Sequence, residues 1–415
     1  MATAWYPPHH TGGTEVYLAE LAANLGDLDV SVLTPRMPGA MPSYRAEGVR
    51  VDTYVPLAVD EAQSRAEFEG LLAARGAAIY HQHSWTPDCG GWHLRAARKA
   101  GLKTVLTVHT PASLCLRGTM MRFGQAACDG RVEAGACGPC WAHSRGAPRW
   151  LAESLAHLPV PAIPGLPARA RTALGAKDLV ARRQDDLQAM IADADRVVAV
   201  CAWLRDALAL NGTPADKLVL SRQGTSPAFV AAGAARRPRP GPPRRLLFLG
   251  RWDPVKGAEV VVRALLGAPE LDLELTIHGI AAGPVEAAHR DKVAALAAGD
   301  RRIAIREAAP RDAIPDIMAE HDALVVPSTW METGPLVVLE AMAAGLFVIG
   351  SDLGGVAELI DQPDKGVLVA PGEAVAWERA LRAYARSGTP DLPRHRVRTM
   401  ADAARDMADL YAGLG

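Results

Sequence analysis

Val325-Val326-Pro327-Ser328-Thr329-Trp330-Met331-Glu332-Thr333-Gly334-Pro335-Leu336 is the stretch on which the fold turns. Ala323–Val326 reads as a short buried strand, and the Pro- and Gly-bearing residues after it read as a loop. Leu336 then starts a helix with Pro335 near its first turn and Gly345 at its C-terminal end. Working outward, strand-like runs at Arg245–Leu249, Leu273–Ile277 and Phe347–Ile349 alternate with helix-like stretches. An earlier series, Val30–Leu33, Ala78–His81, Thr104–Val108 and Arg196–Val200, repeats the pattern. Alternation of this kind indicates an α/β chain with parallel sheets, built twice over.

Between the two series, AAGAARRPRPGPPRR at Ala231–Arg245 has too many small residues, Pro and Arg to build an ordered core element. The expected domains are therefore 1–230, with a Cys-rich inserted loop at about 115–150, a linker at 231–243, a second domain at 244–393, and a terminal helix at 394–415. An amphipathic helix is predicted over Val397–Leu414. The predicted helix Thr14–Leu25 follows Met1–Pro8 so closely that little remains of a strand to open the first sheet, which suggests a translation start several residues upstream.

A chain of 415 residues allows two or three domains, and 49% apolar with 22% charged residues excludes a largely disordered or fibrous one. Forty-five Lys+Arg against 46 Asp+Glu leave a net charge of -1, so nucleic acid is not an expected partner. The opening MATAWYPPHH lacks a basic region followed by an apolar one, and the longest apolar run, Leu336–Gly350, is interrupted by Glu340. A cytoplasmic protein that does not span the membrane is expected, either free or peripheral at the inner face of the cell membrane. Arg145–Arg183 carries seven Lys/Arg against Glu153 and Asp178, a net of +5. It reads either as a solvated connector or as a patch for an anionic membrane surface or a phosphorylated acceptor.

Loops that follow strands hold the ligands of open parallel sheets. Gly250-Arg251-Trp252-Asp253-Pro254-Val255-Lys256-Gly257 follows one strand and precedes a helix. It places Arg251 and Lys256 where helix N–H groups and the helix dipole already favour an anion, and a diphosphate fits. Glu332 lies in the loop after Ala323–Val326, and Glu340 on the second turn of an otherwise apolar helix. A carboxylate buried there needs hydrogen-bond donors, which sugar or ribose hydroxyls supply. Gly12-Gly13 opens the first helix and lets a ligand approach the backbone, and His109 ends the strand Thr104–Val108.

Taken together, these residues resemble family 4 of the retaining, GT-B-fold glycosyltransferases. The resemblance rests on Glu332-x7-Glu340 within METGPLVVLEAMAAG, continued by VIGSDLGGVAELI, on GRWDPVKG, on the Pro-Pro…Gly-Gly-Thr-Glu opening, on VLTVHT around His109, and on DADRVVAVCAWLRD. It implies two Rossmann-like doubly wound domains facing a cleft, with a C-terminal helix crossing back to the first. It also implies a nucleotide-diphosphate sugar as donor and a glycan, lipid-linked or small-molecule acceptor.

By the same resemblance Arg251 and Lys256 hold the donor diphosphate, and Glu340 the ribose. Glu332 and the backbone of Gly334-Pro335-Leu336 lie at the sugar, Gly12 and Gly13 close on the phosphates, and His109 sits beside the transferred sugar. Catalysis is expected to need no metal, because Asp193-Ala194-Asp195 falls where the family has a structural turn. Retention by front-face attack is implied, with a double displacement through Glu332 as the alternative. A sugar-nucleotide epimerase or hydrolase and an inactive nucleotide-sugar-binding protein are the rival readings.

Cys115-x12-Cys128-x8-Cys137-x2-Cys140 leaves three readings open: structural zinc, an iron–sulfur centre, or free thiols. Its expected role is to shape the acceptor side. Cys89 and Cys201 read as ordinary buried thiols.

Overall fold

Short β-branched runs that are apolar on both faces can be strands only in a sheet covered on both sides, and they form two such sheets. A computed structural model describes residues 1–9, 12–155, 175–237, 241, 244–387 and 396–415. It divides into Met1–Arg222 with Ala401–Gly415, and Gln223–Met400.

In the first unit the strands are β1 (Ser31–Pro35), β2 (Ser43–Ala46), β3 (Val49–Tyr54), β4 (Ile79–Gln82), β5 (Lys103–Val108), β6 (Met121–Arg122), β7 (Ala126–Ala127), β8 (Arg196–Ala199) and β9 (Leu218–Leu220). They pair as β2-β3-β1 and β4-β5-β8-β9, parallel except for β2 against β3. Ala2 joins the two halves, with parallel bridges to Leu33 and Gln82. The opening strand is thus reduced to a bridge, but it occupies the centre of the sheet. The order of parallel strands reverses there, between Ala2 and β4.

The terminal helix, Met400–Ala412, has Tyr411 buried, and the Tyr411 hydroxyl lies 2.6 Å from Nδ1 of His81 on β4. The Cys-rich region is more ordered than a loop. It holds the β6–β7 hairpin and the helices Ala134–Ser144 and Arg149–Leu155 around a small core of Trp141, Ala142, Ala152 and Ala176. Most of the +5 stretch, 156–174, lies outside the described residues.

In the second unit β10 (Arg245–Arg251), β11 (Glu274–Ile280), β12 (Ile303–Arg306), β13 (Ala323–Val326), β14 (Phe347–Ser351) and β15 (Gly366–Val369) form one all-parallel sheet. Its order is β12-β11-β10-β13-β14-β15. Leu246 and Phe248 point into one core with Val261, Val262, Ile277 and Trp377, while Leu247 points into the other with Leu324, Val338 and Val348. That is the period-two alternation of a strand covered on both faces. Ala231–Ala235, placed in the linker by composition, instead end a helix, Pro227–Ala235. Gly233 is pressed onto Ala343 there, since a Cβ would stand 2.0 Å from the Ala343 carbonyl oxygen. Residues 238–240, 242–243 and 388–395, which include the rest of the expected boundaries, lie outside the described residues.

Candidate functional site

In the second unit, successive strands run in opposite directions across the sheet from the gap between β10 and β13. The loops leaving the carboxyl ends of those two strands flank a crevice suited to a ligand. The two loops are pinned to each other. The Thr329 N–H donates to the Val255 carbonyl at 2.8 Å, and Gly257 sits against Pro327, where a Cβ would approach the carbonyl oxygen to 1.9 Å. Gly257 also has φ +75°, so both conformation and space demand glycine.

Arg251 is the last residue of β10 and not part of the loop. Its side chain is half exposed, with Asp253 3.7 Å away. Lys256 lies in a 3-10 turn, Pro254–Lys256, directly before the helix Ala258–Leu266, and Asp253 caps that turn through the Val255 N–H at 3.1 Å. The Lys256 ammonium donates to Glu332 Oε1 at 2.7 Å and lies 5.1 Å from the centre of the Trp330 ring. Ser328 donates to the same oxygen at 2.7 Å. Glu332 is buried, which two charge-assisted or polar donors make affordable. Its loop is fixed from behind by Gly355, whose N–H donates to the Glu332 carbonyl at 2.6 Å. Cβ atoms on Gly354 or Gly355 would stand 2.9 and 2.8 Å from that backbone.

Pro335 caps the helix Leu336–Ala343, and Glu340 is buried on its second turn. The guanidinium of Arg311 meets Glu340 Oε1 at 2.6 Å and lies over the Phe229 ring at 4.9 Å. The donor that a buried carboxylate requires is therefore a protein side chain in this structure. Arg311 is not signalled in the sequence, because it comes from an unrelated turn after β12.

The first unit has its own pocket at the reversal point, about 110 Å³, lined by Trp5, Glu15, His83, Trp85, Thr107 and His109 among others. Gly12 caps the helix Gly13–Asn24 with φ -125°, and a Cβ on Gly13 would meet nothing within 4 Å. The backbone at that helix start is thus open to approach. His109 is buried, stacks on His83, and shares a 3.0 Å contact from its Nε2 to His83 Nδ1. Burial lowers the His109 pKa to about 3. Burial, reinforced by the neighbouring histidines, lowers His81 and His83 well below the ordinary 6.5. All three are neutral imidazoles near pH 7. His81 and His83, two residues apart on and just after β4, were not singled out in the sequence; their period-two spacing at a strand end was the available signal.

Asp193 pairs with Arg95 at 2.9 Å, and Asp195 accepts from the Thr104 N–H at 2.8 Å, so both carboxylates of Asp193-Ala194-Asp195 anchor the turn before β8. Among the described residues no three His, Cys, Asp or Glu side chains are arranged to hold a metal ion, the four insertion cysteines included. Among the described residues no helix is long and apolar enough to cross a membrane.

Residues 12–224 match the glycosyl transferase 4-like domain, and residues 234–403 match the glycosyl transferases group 1 family. The chain belongs to the glycosyl transferase 4-like family. A D-inositol 3-phosphate glycosyltransferase of Thermobispora bispora is 26% identical to this glycosyltransferase over 404 residues, covering 89% of this chain and 81% of that protein. The sucrose-phosphate synthase of Thermosynechococcus elongatus superposes with a TM-score of 0.68 at 21% identity, covering 97% of this chain and 94% of the other. Anabaena HepE, solved with UDP and glucose, superposes with a TM-score of 0.61 at 15% identity over 99% and 98% of the two chains. The fold of this enzyme is GT-B, with two Rossmann-like units.

Proposed function

We propose that this glycosyltransferase takes its sugar from a nucleoside diphosphate donor held by the second unit and passes it, with retention and without a catalytic metal, to a hydroxyl of a glycan, lipid-linked or small-molecule acceptor. The observation that carries the reading is the crevice between β10 and β13. There, Lys256 at a helix start, the buried pair of Glu332 and Ser328, and buried Glu340 converge on two loops pinned together by Gly257.

As the bond from the anomeric carbon to the diphosphate oxygen breaks, negative charge grows on the leaving group. Arg251, Lys256 and the helix N–H groups stabilise that charge most in the transition state. Lys256 is already oriented by Glu332, so little reorganisation accompanies donor binding. Glu332 Oε1 accepts from both an ammonium and a hydroxyl, which lowers its nucleophilicity and favours front-face attack over a covalent intermediate on Glu332. The pocket at His109, His83 and Glu15 is the acceptor side in this reading. The inositol phosphate specificity named for the bacterial relatives makes a phosphorylated cyclitol the first acceptor to try.

The test is a panel of UDP-, GDP- and ADP-sugars, followed by melting temperature and by nucleotide release with and without inositol 3-phosphate. A donor at 100 times its Kd adds about 2.7 kcal/mol of stability. Lys256→Ala and Glu340→Ala are expected to abolish the shift, and EDTA to leave turnover unchanged. Absence of stabilisation by every nucleotide sugar refutes the donor assignment. Nucleotide release that never depends on an acceptor favours a hydrolase.

A further inference from the structure

Trp330 lies in the loop after β13, two residues before Glu332, and belongs to neither of the apolar cores that cover the two faces of the second sheet. It is half-buried, and its indole N–H is shielded from solvent with no hydrogen-bond acceptor among the described residues. An indole that joins no core and leaves its N–H unpaired gives up stabilisation on both counts. What its ring does meet is a cation. The Lys256 ammonium lies over it, 5.1 Å from the ring centre.

That contact is set by the backbone. Thr329 donates to the Val255 carbonyl twice, from its N–H at 2.8 Å and from its hydroxyl at 3.3 Å. Lys256 and Trp330, the next residue of each loop, are thereby brought side by side, and Gly257 packed on Pro327 keeps the loops from sliding apart. Lys256 has three N–H donors, one of them given to Glu332 Oε1 at 2.7 Å, and its side chain is 22% exposed and so within reach of a ligand. Glu332 and Trp330 hold the ammonium in different ways. The carboxylate is an anion, which competes with a phosphate for the same charge. The indole face attracts a cation through its quadrupole but carries no net charge to repel a phosphate.

We propose that Trp330 is a positioning residue for the donor diphosphate, its ring face keeping the Lys256 ammonium in the crevice while that ammonium is shared between Glu332 and phosphate. The role rests on the assignment of Lys256 to the diphosphate. A lysine side chain free in solvent gives up much rotamer freedom when an anion fixes it. One already laid on an aromatic ring held by a pinned loop gives up less, so more of the attraction appears as affinity. The effect falls on the phosphates and not on the base or the ribose, because Lys256 is the only group through which the ring acts in this proposal. A cation–π contact partly shielded from water corresponds to about five- to tenfold in affinity.

UDP, GDP and ADP, each beside its matching nucleoside, are titrated against the full chain and its variants. For the nucleoside diphosphate that binds, Trp330→Leu is expected to raise Kd about five- to tenfold while changing the nucleoside by less than about twofold. Trp330→Phe, which keeps an aromatic face, is expected to stay within about threefold of the wild type. Equal weakening of nucleoside and nucleoside diphosphate overturns the proposal, because it marks a loop that has only lost its shape. So does an unchanged diphosphate Kd in Trp330→Leu, and so does a Trp330→Phe variant as weak as Trp330→Leu. A wild type that binds none of the three diphosphates overturns the donor assignment itself, and the role of Trp330 with it. Should Trp330→Leu fail to fold, 5-fluorotryptophan is incorporated into the wild-type chain. The fluorine resonance of Trp330, identified by its loss in Trp330→Phe, is expected to shift as the nucleoside diphosphate draws on Lys256, and a resonance that stays in place overturns the proposal.

Discussion

Acidification is the most direct probe of the first unit. His81, His83 and His109 are buried and held neutral, and burial also lowers His93 to about 4. A histidine whose folded pKa lies below its unfolded value of 6.5 binds its proton more readily in the unfolded chain. Its contribution to stability is complete above pH 6.5 and is lost as pH falls from 6.5 towards the folded value. Each such group then costs about 1.4 kcal/mol per pH unit, or about 1.4 kcal/mol at pH 5.5. The four together reach roughly 5–6 kcal/mol at pH 5.5, against a usual domain stability of roughly 5–15 kcal/mol. Urea unfolding at pH 7.5, 6.5 and 5.5, with hydrogen exchange to localise the loss, measures this. His83→Asn is expected to remove about one quarter of the slope. An unchanged midpoint from pH 7.5 to 5.5, or the same slope in the variant, would refute the neutral cluster. Transfer activity is expected to show no ionisation of His109 near 6.5 while the fold survives.

Arg311→Leu leaves Glu340 buried beside an apolar side chain. Losing one partner of a buried pair costs roughly 3–5 kcal/mol, reduced here towards about 2 because the Arg311 side chain is 35% exposed, and calorimetry reads the shift. Weaker nucleotide binding is expected alongside, since Arg311 orients the carboxylate assigned to the ribose. Gly257→Ala forces a Cβ onto Pro327 at positive φ and is expected to cost more than about 2 kcal/mol and to separate the two crevice loops, seen as lost nucleotide-induced stabilisation. Tyr411→Phe removes the bond to His81 and is expected to lower stability by about 1 kcal/mol, measured by urea midpoint.

The alternation of strands was legible because parallel strands buried on both faces leave continuous apolar runs, as at Leu246–Phe248 and Ala323–Val326. The hairpin β2–β3 was not, although Glu47-Gly48, both at positive φ, mark its turn; its strands carry Arg45, Arg50 and Asp52 and break the apolar signal. Ala231–Ala235, the end of the helix Pro227–Ala235, fall in the expected linker because their small side chains resemble a connector until the helix is seen to bury Phe229. At the site, Lys256, Glu332 and Glu340 were readable from their place in strand–loop–helix order. Their partners were not. Arg311 reaches Glu340 by tertiary packing from a separate turn, and Ser328, although it lies in the same loop four residues before Glu332, belongs to no pattern that marks it as the donor to that carboxylate. The first-unit pocket was signalled by His109 and by the Gly12-Gly13-Thr14-Glu15 helix start, but not by His81 and His83, since the neutral state of the three histidines depends on burial that sequence spacing does not express.

The bond between His81 and Tyr411 joins residues 330 positions apart. At a synthesis rate of roughly 5–20 residues per second, His81 is made about 16 to 66 s before Tyr411. All of Gln223–Met400 is made in that interval as one uninterrupted segment. The unit begun first is therefore the one finished last, and its central strands wait for their closing helix while the second unit has everything it needs to fold.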